Sequence, residues 1–353
     1  VWGPLSDHFG RKPIMYTGFA IYIGGAIASA LAPTLAVLLI ARFLWGIGAA
    51  GPRVVTFSVV RDTYEGEAMA KAMSFIFAVF ILIPVLAPAA ASGVLVIAGW
   101  RWIFALCALF AIAVILWSRR LAETLHPEDR LELSFSRIAA AGRAVATNRD
   151  TAGYTLALTF LFGVFSSYLA SSENIFDQVF GLGSQFPFIF GGLALVMGAA
   201  MLGNGWIVDR VGTRRLAHGA LVGQITVIAG LVAIALATDG RPPFAVFAVV
   251  MAGMLALQAL MLPNFNAIAM QPMGHIAGTA AAVIGAVSTA AGAVLGAILD
   301  RAFDGTILPF AVGAAVYGSS AVLCVLWAER GRLFRPLLQP AIAGGLESAP
   351  PAQ

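Results

Sequence analysis

Charge is what this 353-residue chain has least of: Asp, Glu, Lys and Arg together make up 11% of it. Soluble domains carry about a quarter. With 60% apolar residues and a mean hydropathy of +0.91, a soluble globular fold is excluded. Acids are scarcest where they would matter most, since all 17 Asp and Glu lie outside the cores of the long apolar runs. The two cysteines, Cys107 and Cys324, both sit inside such runs and read as small packing residues, with no disulfide or metal spacing. Phosphate-loop, dinucleotide-binding and nucleophile-elbow patterns are missing, and no nucleophile–base or metal pair falls in the apolar runs. The chain is therefore read as a non-enzyme that needs no cofactor. Glycine-rich runs such as GAVSTAAGAVLG are read as close-packing helix faces.

What the chain has instead is long apolar stretches. Ten are present, near 14–32, 35–58, 74–98, 102–118, 153–172, 186–206, 216–236, 244–266, 277–298 and 308–328. Each is close to the roughly 20 residues a helix needs to cross the hydrocarbon core. The alternating ten-residue signature of a membrane barrel is missing, so helices must satisfy the backbone. The expected fold class is an all-α polytopic membrane protein. Basic residues orient it. Arg101, Arg241 and Arg301 fall on one side and Arg42 and Arg53 within a span, which leaves 16 of the 21 Lys and Arg on the other side, the expected cytoplasmic face. The pI near 9.4 is thus a topology signal, and nucleic acid is not an expected partner. Lipid, a small-molecule substrate and protons are, for a monomer.

Residues 3–13, GPLSDHFGRKP, return as GWIVDRVGTRR at 205–215. Gly3 aligns with Gly205, Asp7 with Asp209, Gly10 with Gly212 and Lys12 with Arg214, a constant offset of 202 residues. The chain is therefore an internal duplication. The reading gives a first helical bundle at 1–118, a cytoplasmic linker at 119–151, a six-helix bundle at 152–328 and a disordered cytoplasmic tail at 329–353. Within the linker, Leu133 to Val145 suits either a helix lying on the cytoplasmic leaflet or plain linker.

The run Gly3-x-Leu5-Ser6-Asp7-x-x-Gly10-Arg11-Lys12 resembles the signature between the second and third helices of the major facilitator superfamily. Leu38-x-x-x-Arg42-x-x-x-Gly46-x-Gly48 resembles its fourth-helix motif, with Trp45 where Gln is commoner, and Ala87-Pro88-x-x-Ala91-Ser92 loosely resembles its fifth-helix antiporter motif. "VVRDTYEGEAMAKAMS", "GWRWIF", "LAETL" and "MLPNFNAIAMQPMGHIAGTAAAVIG" resemble the bicyclomycin-resistance (Bcr/CflA) branch of drug:proton antiporters. The resemblance implies two bundles related by a pseudo-two-fold axis. It also implies export of drugs or related hydrophobic compounds in exchange for protons, in the bacterial inner membrane. A carrier of a specific metabolite is the first alternative, and a non-transporting receptor or scaffold the second.

Candidate site residues follow. The tight turn favours Gly3 and Gly10, Asp7 can accept from a helix N-terminus or an arginine, and Arg11 is within plausible reach of Asp62. By resemblance such a cluster, with Asp209 in the second copy, latches the halves together; Lys12 and Arg214 are read as membrane anchors. Arg42, Gly46, Ala49 and Arg53 share one helix face at i, i+4, i+7 and i+11. Arg42 lies too deep to snorkel, which points to proton coupling or cavity electrostatics. Glu173, at the outer end of the span 153–172, is the nearest acid to a span core and the alternative proton carrier. Phe162, Phe165 and Tyr168 with Met254, Gln258 and Met261 are the candidate substrate contacts, since flexible Met and aromatics suit varied apolar compounds. Gly46, Pro84, Pro88 and Pro263 are read as packing or kink positions.

The first bundle shows four spans against six in the second, and the motif copy at residue 3 has no helices before it. Ten of twelve transmembrane helices are thus expected here. Upstream sequence is expected to encode two more, the first carrying the titrating acid that the resemblance implies.

Overall fold

The computed structural model describes residues 2–64, 66–126, 128, 130 and 135–334, and in places within these the backbone without the side chain. All regular structure among them is helical. The first half comprises α1 (Trp2–Phe9), α2 (Arg11–Ala30), α3 (Leu35–Thr63), α4 (Gly66–Ile97) and α5 (Arg101–Ser118). After α6 (Phe135–Thr147) come α7 (Arg149–Asn174), α8 (Phe186–Val211), α9 (Thr213–Ala237), α10 (Phe244–Met270), α11 (Ala277–Asp300) and α12 (Leu308–Ala328). Among the described residues nine helices are long and apolar enough to cross a membrane. The tenth expected span, 74–98, falls in α4, a helix of 32 residues that contains Pro84 and Pro88; the Pro84 side chain lies outside the described set.

Local chemistry sets the helix starts. Thr34 Oγ1 accepts from the Val37 N–H at 3.3 Å and Asn148 Oδ1 from the Thr151 N–H at 3.0 Å, each filling a donor the first turn leaves open. Hydroxyls inside α7 return to their own helix, Thr155 to the Thr151 carbonyl at 2.7 Å and Thr159 to the Thr155 carbonyl at 2.9 Å. In hydrocarbon a polar group must find such a partner within the protein.

Helix α7 is the hub of the second bundle, packed on α10, α11 and α12. The expected small-residue face on α11 is what lets it approach. A Cβ at Gly292 would stand 2.8 Å from the Thr159 carbonyl oxygen, and one at Gly296 would stand 2.7 Å from the Ser166 Cβ. In α3 the packing glycines are Gly48 and Gly51, whose absent Cβ atoms leave room for the backbone of Tyr22 and Gly18; the expected Gly46 faces open space. Gly3 also departs from expectation, because it lies inside α1 and would meet only Val54, at 3.9 Å. Pro263 lies inside α10, and Pro52 inside α3.

The segment between the halves is helical: α6 forms, and its Ala141 and Val145 are buried, Val145 in the core of the second bundle. Its apolar face therefore seats on protein rather than lying free on a leaflet. Leu133 and the tail from 335 lie outside the described residues, whereas 329–334 are described and fold back over the end of the second bundle. Between halves, α4 packs on α8, and α1 meets α11.

Candidate functional site

The charged run at the start folds into a corner. Helix α1 ends at Phe9 and α2 begins at Arg11, so the chain reverses at Gly10 with φ +102°. That backbone conformation suits glycine alone. Arg11 is buried, and its side chain collects three partners: Asp62 Oδ2 at 2.7 Å from Nε, Ser6 Oγ at 3.0 Å from Nη1, and Asp7 Oδ1, also from Nη1. The structure thus brings Asp7, Arg11 and Asp62 together. Among the described residues all three partners of Arg11 come from the first half.

Two members of this corner escaped the sequence reading. Glu123 receives the Arg11 N–H at 2.9 Å on Oε1 and the Lys12 N–H at 3.0 Å on Oε2, so a carboxylate far along the chain caps α2. Burial pushes the Glu123 carboxyl up, but the N–H donors of Lys12, Arg11, Leu125 and Thr124 outweigh it and hold it below its ordinary value. Thr124 Oγ1 donates to Asp62 at 3.3 Å. Lys12, read as an anchor, donates from Nζ to the Arg119 carbonyl at 3.2 Å. The available signal was LAETL at residues 121–125, which carries the family resemblance but from which no role for Glu123 or Thr124 was read.

The second copy folds alike and bonds differently. Gly212 turns with φ +87°, but Asp209 is exposed and forms no ion pair among the described residues. Arg210 stacks on Trp206, its Cζ 3.6 Å from the ring centroid. Arg214, also read as an anchor, pairs with Glu329 at 3.4 Å. Glu329 Oε1 accepts from the Tyr154 hydroxyl at 2.8 Å, and the His218 Nε2 lies 2.7 Å from that same hydroxyl. Tyr154, His218 and Glu329 are all buried. Sequence position placed His218 at a helix start and Glu329 in a tail; only the folded bundle buries them together.

Arg42 is exposed, with its guanidinium 5.0 Å from the Trp45 ring centroid and 5.4 Å from that of Phe104. Gly46, Ala49 and Arg53 are exposed on the same face, as the spacing predicted. Trp45, which stands where glutamine is commoner in the resembling motif, thus supplies a cation–π partner in place of an amide. Glu173 is exposed in the last turn of α7.

Four of the six candidate substrate contacts, Phe165, Tyr168, Met254 and Gln258, line one cavity of ≈ 10 Å³ inside the second bundle. Gln224 of α9, which sequence reading missed, joins them. The Tyr168 hydroxyl and the Oε1 atoms of Gln224 and Gln258 are buried without a partner, while Gln258 Nε2 donates to the Leu161 carbonyl at 3.0 Å. A space of this size suits one water molecule and is far below a drug-sized pocket. The other two candidates lie elsewhere: Met261 is in the core around Tyr154 and Phe265, and Phe162 sits against Gly292 of α11.

Comparisons with known proteins agree with this architecture. A Major Facilitator Superfamily model matches residues 1–297. The chain is 29% identical over 323 residues to the bicyclomycin resistance protein homolog of Haemophilus influenzae, covering 89% of this chain and 79% of that protein. It is 27% identical over 290 residues to an uncharacterized MFS-type transporter, YdgK, of Bacillus subtilis, covering 80% of this chain and 71% of that one. A crystal structure of the D-xylose–proton symporter superposes with a TM-score of 0.71 at 17% identity, over 93% of this chain and 82% of that chain. The duplicated corner, the helical bundles and the family match together place this chain in the major facilitator superfamily, a family of multi-pass membrane transporters.

Proposed function

We propose that this transporter exports small hydrophobic compounds, drugs among them, in exchange for protons, across a bacterial inner membrane. The observation that carries the reading is the cavity wall in the second bundle. It is built of Met and aromatic side chains with three buried, unpartnered oxygens and no charged group. Such a wall rewards apolar bulk and asks for only one or two hydrogen-bond donors, which suits varied lipophilic compounds. The likeness to a bicyclomycin resistance protein homolog supports the same substrate class.

The mechanism is alternating access, the two bundles rocking about a midplane site. The small cavity widens into the substrate path as α7 and α10 move, with Gln258 and Tyr168 giving polar contacts. The Asp7–Arg11–Asp62 corner acts as the conformational latch. Arg42, held over Trp45 and Phe104 on an exposed helix face, sets the cavity potential for proton coupling, with Glu173 as the acid nearest the outer end. A carrier of one specific metabolite is the second reading, favoured by the three unpartnered oxygens, which form an unfilled hydrogen-bonding pattern.

Cells producing the full-length protein should accumulate several-fold less of a lipophilic cationic dye, and a protonophore should abolish the difference. Unchanged accumulation rejects drug export; export indifferent to the protonophore rejects proton coupling. Arg42→Ala should remove the protonophore-sensitive part. Arg42→Lys should restore it only in part, because an ammonium lacks the planar face that stacks on Trp45.

A further inference from the structure

The transport reading leaves a buried titratable cluster, Tyr154, His218 and Glu329, unused. His218 has no exposed surface, and both ring nitrogens are engaged. Nε2 meets the Tyr154 hydroxyl at 2.7 Å, and Nδ1 accepts the backbone N–H of Phe334 at 2.9 Å. A backbone N–H can only donate, so Nδ1 must carry a lone pair and the ring must be neutral with its proton on Nε2. The bonds then run in one direction: His218 Nε2–H to Tyr154 Oη, Tyr154 O–H to Glu329 Oε1, and Arg214 to Glu329 Oε2.

The Phe334 end of this chain is a strap. Beyond α12 the backbone turns back through Arg330, Gly331 and Phe334 at φ +53°, +75° and +64°. Two of these are non-glycine residues in the left-handed region, each at a cost that surrounding contacts must offset. Arg330 and Gly331 are capped on α12, their N–H groups reaching the Trp327 and Leu326 carbonyls at 3.2 and 2.8 Å, and the Arg332 N–H reaches the Glu329 carbonyl at 3.1 Å. Beyond them Leu333 packs on the bundle core, the Phe334 ring stands edge-on to His218 at 5.6 Å, and the Nδ1 bond closes the strap.

We propose that His218 is a proton-operated catch for the C-terminal segment. A proton taken from water onto Nδ1 consumes the lone pair that holds the Phe334 N–H and sets two donors face to face. The bond is lost, the strained backbone at Phe334 relaxes, and residues 332–334 lift off, hinged where Arg330 and Gly331 stay bonded to α12. The charged and titratable groups facing the ring are Tyr154 from α7, Arg214 from α9 and Glu329 from beyond α12; Asp150 of α7 and Phe265 of α10 lie against Tyr154. Glu329 lies 3.9 Å from Nε2 and is bridged to Arg214 on its other side. The carboxylate gives the new charge somewhere to rest once the strap opens.

The test is electron paramagnetic resonance of a spin label at Arg332→Cys, an exposed strap position, with Cys107 and Cys324 replaced by Ser and the full-length protein in nanodiscs. The mobile spectral component should rise several-fold as the pH is lowered from about 8 towards 4, a span that reaches below the range of an ordinary histidine. His218→Gln, neutral at every pH, should flatten that rise. Phe334→Pro has no N–H to donate and, with φ locked near about −65°, cannot take the +64° of the seated strap, so it marks the fully released spectrum and should be mobile at every pH. A spectrum unchanged with pH, a rise that survives in His218→Gln, or an immobile Phe334→Pro strap would each overturn the catch. A rise lost in Glu329→Gln and kept in His218→Gln would move the proton to the carboxylate and overturn it equally.

Discussion

The two copies of the repeated motif share a backbone and almost nothing else. Both turn on a glycine at positive φ, +102° at Gly10 and +87° at Gly212, between two helices. At the first turn the 202-residue repeat places Arg11, with Asp62 as its partner; at the second it places Thr213 and Asn264. Asn264 bonds Asn204 at 2.7 Å, a neutral contact in place of the ion pair. The carboxylate after each bundle has been reassigned as well. Glu123 caps a helix N-terminus near the surface, and Glu329 closes a buried Tyr–His–Arg network. Sterics at the turn leave one residue type acceptable, so the glycine repeats, whereas the side-chain chemistry around it has several solutions and has diverged.

Paired substitutions sharpen this contrast. The largest effect is expected for Arg11→Ala, which strands Asp7 and Asp62. Arg11 is buried while Asp7 and Asp62 reach solvent, so the loss should fall below the about 3–5 kcal/mol of a fully buried pair; thermal unfolding in detergent should still shift by several degrees and transport should stop. Thr213→Ala, its counterpart, should stay within about 0.5 kcal/mol. Equal shifts for the two would show that the corners are equivalent after all.

Next comes Asp7→Asn against Asp209→Asn. Removing the charge-assisted contact to Arg11, worth about 1.5–3 kcal/mol, should leave membrane insertion intact and cut dye export about tenfold or more. The exposed Asp209 should tolerate the same change. Full export by a normally produced Asp7→Asn protein would reduce the first corner to a topology signal.

Smaller again is the difference between the glycines. Alanine at either turn must take a positive φ with ψ near about 150°, a region that belongs to glycine, at a cost of about 1–3 kcal/mol. At Gly10 the new Cβ would also stand 2.8 Å from Glu123 Oε2, while at Gly212 nothing lies within 4 Å. Gly10→Ala should therefore lower the unfolding temperature more than Gly212→Ala, and the reverse order would mean that Glu123 swings away freely.

The smallest effect is acid sensitivity. Glu123 is held below its ordinary value, so its contribution is present above the pKa of the unfolded chain and fades as pH falls through the folded one. Unfolding temperature followed from pH 6 to pH 3 should drop slightly more steeply in the wild type than in Glu123→Gln.

Much of the architecture was legible beforehand, because the bilayer permits few solutions. Apolar runs of helix-crossing length lead to helices from composition alone, and the 202-residue repeat leads to the paired glycine turns. The Arg11–Asp62 pair was legible for a related reason, since charges at a membrane surface have few partners of opposite sign. Other features could not be read in this way. Gly46 and Gly48 are two residues apart and equally small, yet only Gly48 packs, because helix rotation is set by the neighbour. Met254 and Met261 share a stripe one heptad apart, but one lines a cavity and the other a solid core. Gln224 joined the cavity from a helix that carried no signal.

Sequence by itself determined what the backbone must do: cross the bilayer as helices and turn on Gly10 and Gly212, since hydrocarbon forbids unpaired amides and a Cβ forbids those turns. Tertiary structure alone decided which polar groups left in the apolar chain would meet. Tyr154, His218 and Glu329 are separated by 64 and 175 residues along the chain from their partners. Burial gives each of them a requirement for a hydrogen bond, but only the packing of α7, α9 and α12 says with whom.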